Sequence, residues 1–165
     1  MANPPSVTSQ LALLLSTGFG AGYSPVMPGT VGACWGIPLS LAIYALPGVY
    51  WQLGVLLLLA VIGIPLCGIA AEALGQEDPG AVVWDEFTTV PFAFFLVDPI
   101  WVRNPWVLLA GFALHRLFDI TKIPPARAFD RMHGGFGIMA DDWVAGAYAC
   151  LSLHLLLYLG CFGSA

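Results

Sequence analysis

Ten acidic residues are spread over 165 positions, and five of them fall in patterns that could work as one unit. Asp85 and Glu86 are adjacent in "VVWDEF". Asp141 and Asp142 are adjacent in "GIMADDW", directly before an apolar run that reaches Phe162. Asp119 stands midway between Arg116 and Lys122 at intervals of three. That interval keeps neighbours on one flank of a helix, so Arg116, Asp119 and Lys122 read as a charge ladder closing an otherwise apolar helix. Taken singly, each pattern has a plain explanation: acids suit a helix N-terminus, and a ladder can be no more than ion pairs. Taken together, five carboxylates against two cations cannot all stay ionised at close range without compensation. A divalent cation is the simplest compensation, and an all-oxygen ligand set points to Mg2+ or Mn2+ rather than zinc. Acids with such an ion beside Arg and Lys form the equipment of phosphoryl chemistry, in which the metal clamps phosphate oxygens and cations stabilise the transferring group.

The expected metal ligands are Asp85, Glu86, Asp119 and Asp142, with Asp141 joining them as a catalytic residue. Arg116 and Lys122 are the expected phosphate-binding cations. A second stretch, "TGFGAGYSPVMPGT" from Thr17 to Thr30, is glycine-rich enough for backbone N–H groups to approach an anion. Ser24 and Thr30 within it are further candidates for the phosphate. It lacks the lysine of a nucleotide-binding P-loop. Asp78, Asp130, Arg131 and His133 are secondary candidates. His115 and His133 each lack a second histidine at metal spacing and read as packing or hydrogen-bonding groups. His154, alone in an apolar run, reads as a satisfied interior group.

These residues need elements that hold them, and the composition says what surrounds those elements. Hydrophobic residues make up 59% of the chain and charged residues 9%, with a mean hydropathy of +0.84. From Met1 to Ala71 there is no Asp, Glu, Lys or Arg. A soluble surface that bare would aggregate, so lipid is the expected solvent. The net charge of −5 excludes nucleic acid, which demands clustered Lys and Arg. No basic region precedes the first apolar run, as a cleaved signal peptide would require. The four cysteines form no C-x-x-C pair and read as small buried side chains.

A bilayer core about 30 Å thick needs roughly 20 apolar residues as helix. The runs Val31–Leu46, Trp51–Ala71 and Trp143–Phe162 approach that length; Phe87–Val97 and Trp106–Phe118 are short. The expected architecture is all-α: a single domain over 1–165, a polytopic membrane bundle of about five apolar helices, two of them short. The run Leu11–Leu15 is an interfacial or re-entrant piece. Five crossings place Thr17–Thr30, Glu72–Glu86 and Asp119–Asp142 on one side. Arg116, Lys122, Arg127 and Arg131 fall there too, against Arg103 alone opposite, so the positive-inside rule makes that side cytoplasmic. The acids then lie at the depth of a lipid headgroup on the cytoplasmic face of an inner membrane.

"PVMPGT", "DPGAVVWDEF", "RLFDITK" and "HGGFGIMADDWVAG" together resemble the phosphatidylglycerophosphatase A family. The resemblance implies a Mg2+-dependent enzyme that removes the terminal phosphate of phosphatidylglycerophosphate to leave phosphatidylglycerol. Asp78, Asp85, Glu86, Arg116, Asp119, Lys122, Asp141 and Asp142 match its motif positions. Met27, Thr89 and Ile123 depart from it, where Ala, Gly and Pro are usual. Two alternatives compete. A CDP-alcohol phosphotransferase also uses Asp-bound metals, but its spaced Asp-Gly-Ala-Arg signature is absent. A divalent-cation channel or transporter would use the acids for selectivity, yet such sites tend toward mid-membrane. No Asp-x-Asp aspartyl-phosphatase motif occurs, which favours water as the nucleophile.

Overall fold

In the computed structural model, which describes residues 6–129 and 131–163, every regular element is helical. Helix α1 (Val7–Ser16) starts at Ser6, whose Oγ accepts from the Ser9 amide at 3.1 Å. At about 1.5 Å per residue it is roughly 15 Å long, half of a bilayer core, as expected of a segment that does not cross.

The uncharged run 31–46, expected as one helix, is two: α2 (Pro28–Ala33) and α3 (Gly36–Tyr44). Pro38 has no N–H to return to the Cys34 carbonyl. That carbonyl is taken instead by Ile37 N at 3.2 Å, a tighter bond that breaks the register. Helix α4 (Val49–Leu74) runs unbroken through Pro65 and ends at Gly75, whose φ of 67° is the left-handed cap that glycine supplies.

The next expected span, Phe87–Val97, is also shorter than its sequence suggests. Helix α5 (Trp84–Thr89) gives way to a 3-10 stretch, Val90–Phe94, because Pro91 cannot donate to the Phe87 carbonyl. The two pieces together rise only about 19 Å. Short α6 (Pro99–Val102) leads to α7 (Pro105–Thr121), which begins on Asn104, its Oδ1 accepting from Trp106 N at 2.9 Å. A single turn, α8 (Ala126–Phe129), precedes α9 (Gly134–Tyr158). Helix α9 starts nine residues before Trp143, so Asp141 and Asp142 sit two turns inside the helix, not at its mouth.

The glycine-rich start of α9 reads as loop by propensity. Packing decides otherwise: α9 runs antiparallel to α4, and a Cβ on Gly135 would collide with the Ile64 carbonyl. Small residues let the two backbones touch, as in membrane helix pairs. Two apolar clusters flank this seam. One gathers Ile43, Tyr44, Leu56, Phe94, Val107 and Leu153, where the buried Tyr44 hydroxyl donates to the Pro91 carbonyl at 2.9 Å. The other, Cys67, Ala70, Val82, Ile138 and Met139, lies behind the acids.

Among the described residues, α4 alone is long and apolar enough to cross a membrane. Its 26 residues span about 39 Å, and Trp51, Leu57, Leu58, Val61 and Ile62 are exposed along its outer side. Of the expected spans, the one over Trp51–Ala71 is thus matched by a helix of full crossing length. Two separate hollows hold the loop residues. Pro47, Gly48, Asp98 and Arg103 line one hollow, and the acids line another.

Candidate active site

Three elements bring the carboxylates together. Asp85 and Glu86 occupy the first turn of α5. Asp119 lies near the C-terminal end of α7. Asp141 and Asp142 project from the buried side of α9. All five line a cavity of about 350 Å³ with Lys122 and Arg131. Glu77, Asp78 and His133 line it as well, and Glu77 and Asp78 follow directly on the end of α4. The cavity therefore opens at one end of the helix that can cross a membrane.

One oxygen from each of Asp119, Asp141 and Asp142 lies within 4.8 Å of the other two. Asp141 thus belongs to the tightest carboxylate group, although the expected ligand set left it out. Lys122 Nζ is 2.8 Å from Asp141 Oδ2. Arg116 Nη1 is 2.6 Å from Asp119 Oδ2 and 3.3 Å from Glu86 Oε1. The expected ladder is therefore broken. Arg116 and Asp119 pair along α7, but Lys122 caps that helix with φ 44° and turns to α9.

Arg116 does not line the cavity; it lies behind the acids, braced against two of them. Ser24 and Thr30 do not line it either. The Ser24 hydroxyl donates to the Val26 carbonyl at 2.9 Å, within its own loop. The glycine-rich stretch still reaches the site from outside, since a Cβ on Gly29 would strike the Glu86 carboxylate. Of the secondary candidates, Asp78, Arg131 and His133 are exposed at the cavity rim. His133 Nδ1 lies 3.3 Å from Glu77 Oε2. Asp130 lies outside the described residues.

Burial sets the electrostatics. The Asp85 carboxyl is held well above the usual carboxylate range, first by burial and then by Glu86 and Asp141. Glu86 is pushed up to about 7, by burial above all, with Arg116 pulling the other way and Asp119 adding to the rise. Asp85 Oδ1 and Glu86 Oε2 are buried without a hydrogen-bond partner among the described residues. Orphaned carboxylate oxygens are costly, and these face an excess of negative charge. Hard oxygen donors in that state fit a divalent cation such as Mg2+.

Two participants stand outside the expected set of site residues. Glu77 reads as a solvated charge and is one, yet it borders the cavity. Thr89 Oγ1 is 2.8 Å from His115 Nε2 and 3.4 Å from Asp142 Oδ2, contacts that no spacing rule predicts.

Comparison with known proteins gives a consistent result. The family described as phosphatidylglycerophosphatase A matches residues 14–157. A phosphatidylglycerophosphatase A of Escherichia coli is 40% identical over 151 residues, covering 89% of this chain and 82% of the relative. That of Haemophilus influenzae is 38% identical over 146 residues, 88% of each chain. A Bacteroides thetaiotaomicron relative, provisionally named a phosphatidylinositol-3-phosphatase, is 37% identical over 144 residues, 86% of this chain and 90% of its own. No solved structure matches. A match from near the first helix to the end of the last one, with relatives this similar over most of their length, shows that the chain belongs to the phosphatidylglycerophosphatase A family, a family of phosphatases.

Proposed function

We propose that this chain hydrolyses the terminal phosphomonoester of phosphatidylglycerophosphate, giving phosphatidylglycerol and phosphate, at the cytoplasmic face of an inner membrane that it crosses several times as one domain. The observation that carries the reading is the convergence of five carboxylates from α5, α7 and α9 on one cavity at the end of α4. That end is where a lipid would present its headgroup. Asp119, Asp141 and Asp142 would hold Mg2+, with Asp85 and Glu86 facing them. The bound ion supplies Lewis-acid polarisation of the phosphoryl oxygens.

The remaining roles fall to side chains. Lys122 and Arg131 line the cavity and meet the charge on the phosphate. Arg116 keeps Glu86 and Asp119 in place. Asp85, which lines the cavity beside the other carboxylates, takes the proton from the attacking water. As the water oxygen bonds to phosphorus, the bond to the glycerol oxygen breaks; that oxygen takes a proton from solvent, and Asp85 gives the proton it accepted back to solvent.

The test is phosphate release in detergent with and without Mg2+, on phosphatidylglycerophosphate and on phosphatidylinositol 3-phosphate. Mg2+-dependent release from the first substrate supports the reading. Release from the second alone would transfer the site to the chemistry for which the Bacteroides relative is named, and divalent-cation flux without release from either would favour a transporter. Topology is tested separately, in a background with the native cysteines replaced. Cysteines placed at Gln76 and Arg127 should label from the cytoplasm and one at Asn104 from the other side.

A further inference from the structure

Behind the carboxylates lies a polar pair that the proposed reaction does not use. His115 on α7 is fully buried, and its Nε2 lies 2.8 Å from Thr89 Oγ1 on α5. The same Oγ1 lies 2.6 Å from the Asp85 carbonyl oxygen and 3.4 Å from Asp142 Oδ2. A helical threonine commonly bonds to the carbonyl four residues back, and the contact to Asp85 is that bond. The other two contacts are not local. They tie α7 and α9 to the turn that carries Asp85 and Glu86.

Proton counting sets the directions. The hydroxyl has one proton, and the carbonyl, like Asp142 in its ionised form, can only accept it. Its lone pairs therefore face Nε2, which must carry a proton and donate to Thr89. Nδ1 is then the bare nitrogen, and it is buried with no hydrogen-bond partner among the described residues. The one hydroxyl proton is shared between the Asp85 carbonyl oxygen, the nearer acceptor, and Asp142 Oδ2; each bond in such a chain polarises the next, so the imidazole strengthens the hydroxyl as a donor to both.

We propose that Thr89 and His115 are positioning residues for Asp142. The imidazole holds the hydroxyl, and the hydroxyl fixes how the carboxylate faces the cavity. Partners of this kind orient metal-ligating carboxylates, and their loss costs about 10- to 100-fold in metal affinity or activity. The proposal rests on reading the cavity as a divalent-cation phosphatase site, and its test is built to separate the two.

Thr89→Val keeps the shape and removes the hydroxyl, Thr89→Ser keeps the hydroxyl, and His115→Phe keeps a ring without nitrogens. Each purified variant is titrated with Mn2+ by calorimetry, melted thermally, and assayed for phosphate release against Mg2+. Thr89→Val and His115→Phe should each weaken Mn2+ binding and lower kcat by about tenfold, while Thr89→Ser recovers both to within about twofold. Wild-type Mn2+ affinity in the two deficient variants, with only the melting temperature lowered, would overturn the proposal. So would a Thr89→Ser protein as impaired as Thr89→Val. If Thr89→Val does not fold, His115→Phe against Thr89→Ser makes the same comparison. Asp142→Asn is assayed alongside. If it turns over like the wild type, the reading of the site falls and this inference with it; if it is inactive while the pair variants are normal, the positioning role alone falls.

Discussion

Helices α4 and α9 are nearly the same length, 26 and 25 residues, and lie antiparallel against each other. They use that length differently. The buried residues of α4, Gln52, Leu56, Ala60, Gly63, Cys67, Ala70 and Ala71, recur every three or four positions. That is one stripe, and the rest of the helix is free to face lipid. Helix α9 buries more, and the buried set includes Asp141 and Asp142. One helix has the length and composition of an anchor; the other carries charge on a buried face, where the cations and polar groups of α5 and α7 lie beside it. The lesson is a division of labour: hydropathy marks the anchor and hides the working helix.

The sharpest way to break this contrast is to remove charge from α9. Asp142→Asn should lower phosphate release by roughly a thousandfold, several kcal/mol of transition-state stabilisation, while the protein still folds. The check is an assay at saturating Mg2+ beside a thermal melt, and near-normal turnover would deny α9 its role. The converse change adds charge to α4. Leu58→Arg, on the exposed side, should cost about 2.5–3.5 kcal/mol of membrane insertion, read as loss of protein from the membrane fraction. Normal insertion would mean that this side does not face lipid.

The seam between them can be tested next. Gly135→Ala should force α9 off the Ile64 carbonyl and cost about 1–3 kcal/mol, seen as a lower melting temperature with activity lost in parallel. Arg116→Lys should cost less, about 1–2 kcal/mol, because a point charge cannot serve Glu86 and Asp119 at once. If Arg116 instead gripped the substrate, activity would fall with the melting temperature unchanged.

The smallest effect concerns pH. Glu86 rises from 4.5 unfolded to about 7 folded, so the folded protein holds more protons across that window. Without divalent cations its stability should fall as pH rises through it, by a few degrees of melting temperature, and Mg2+ should reverse the trend. A melting temperature that climbs with pH under those conditions would contradict the burial of Glu86.

Much of this was legible in the residues. The all-helical class and the acids as a group followed from charge placement and hydropathy. What hydropathy misjudged were the breaks. Pro38 and Pro91 sit inside apolar runs, and an apolar count does not register a missing N–H. The early start of α9 was hidden because glycine disfavours helix locally while allowing the contact with Ile64 that stabilises it. Spacing placed Arg116, Asp119 and Lys122 on one flank, but the rule ends where the helix does, and Lys122 is the cap. Thr89 stood out only as a departure from the family pattern, and its partners lie on two other helices.

That cap has a cost of its own. A lysine at φ 44° occupies backbone space where glycine would be relaxed, at a penalty on the order of 1 kcal/mol. Lys122 is kept there against its own backbone preference while its Nζ reaches Asp141. Lys122→Gly should therefore ease the turn and leave the melting temperature level or higher, while turnover falls. On the proposed reading, this position trades backbone ease for a cation placed at the carboxylates.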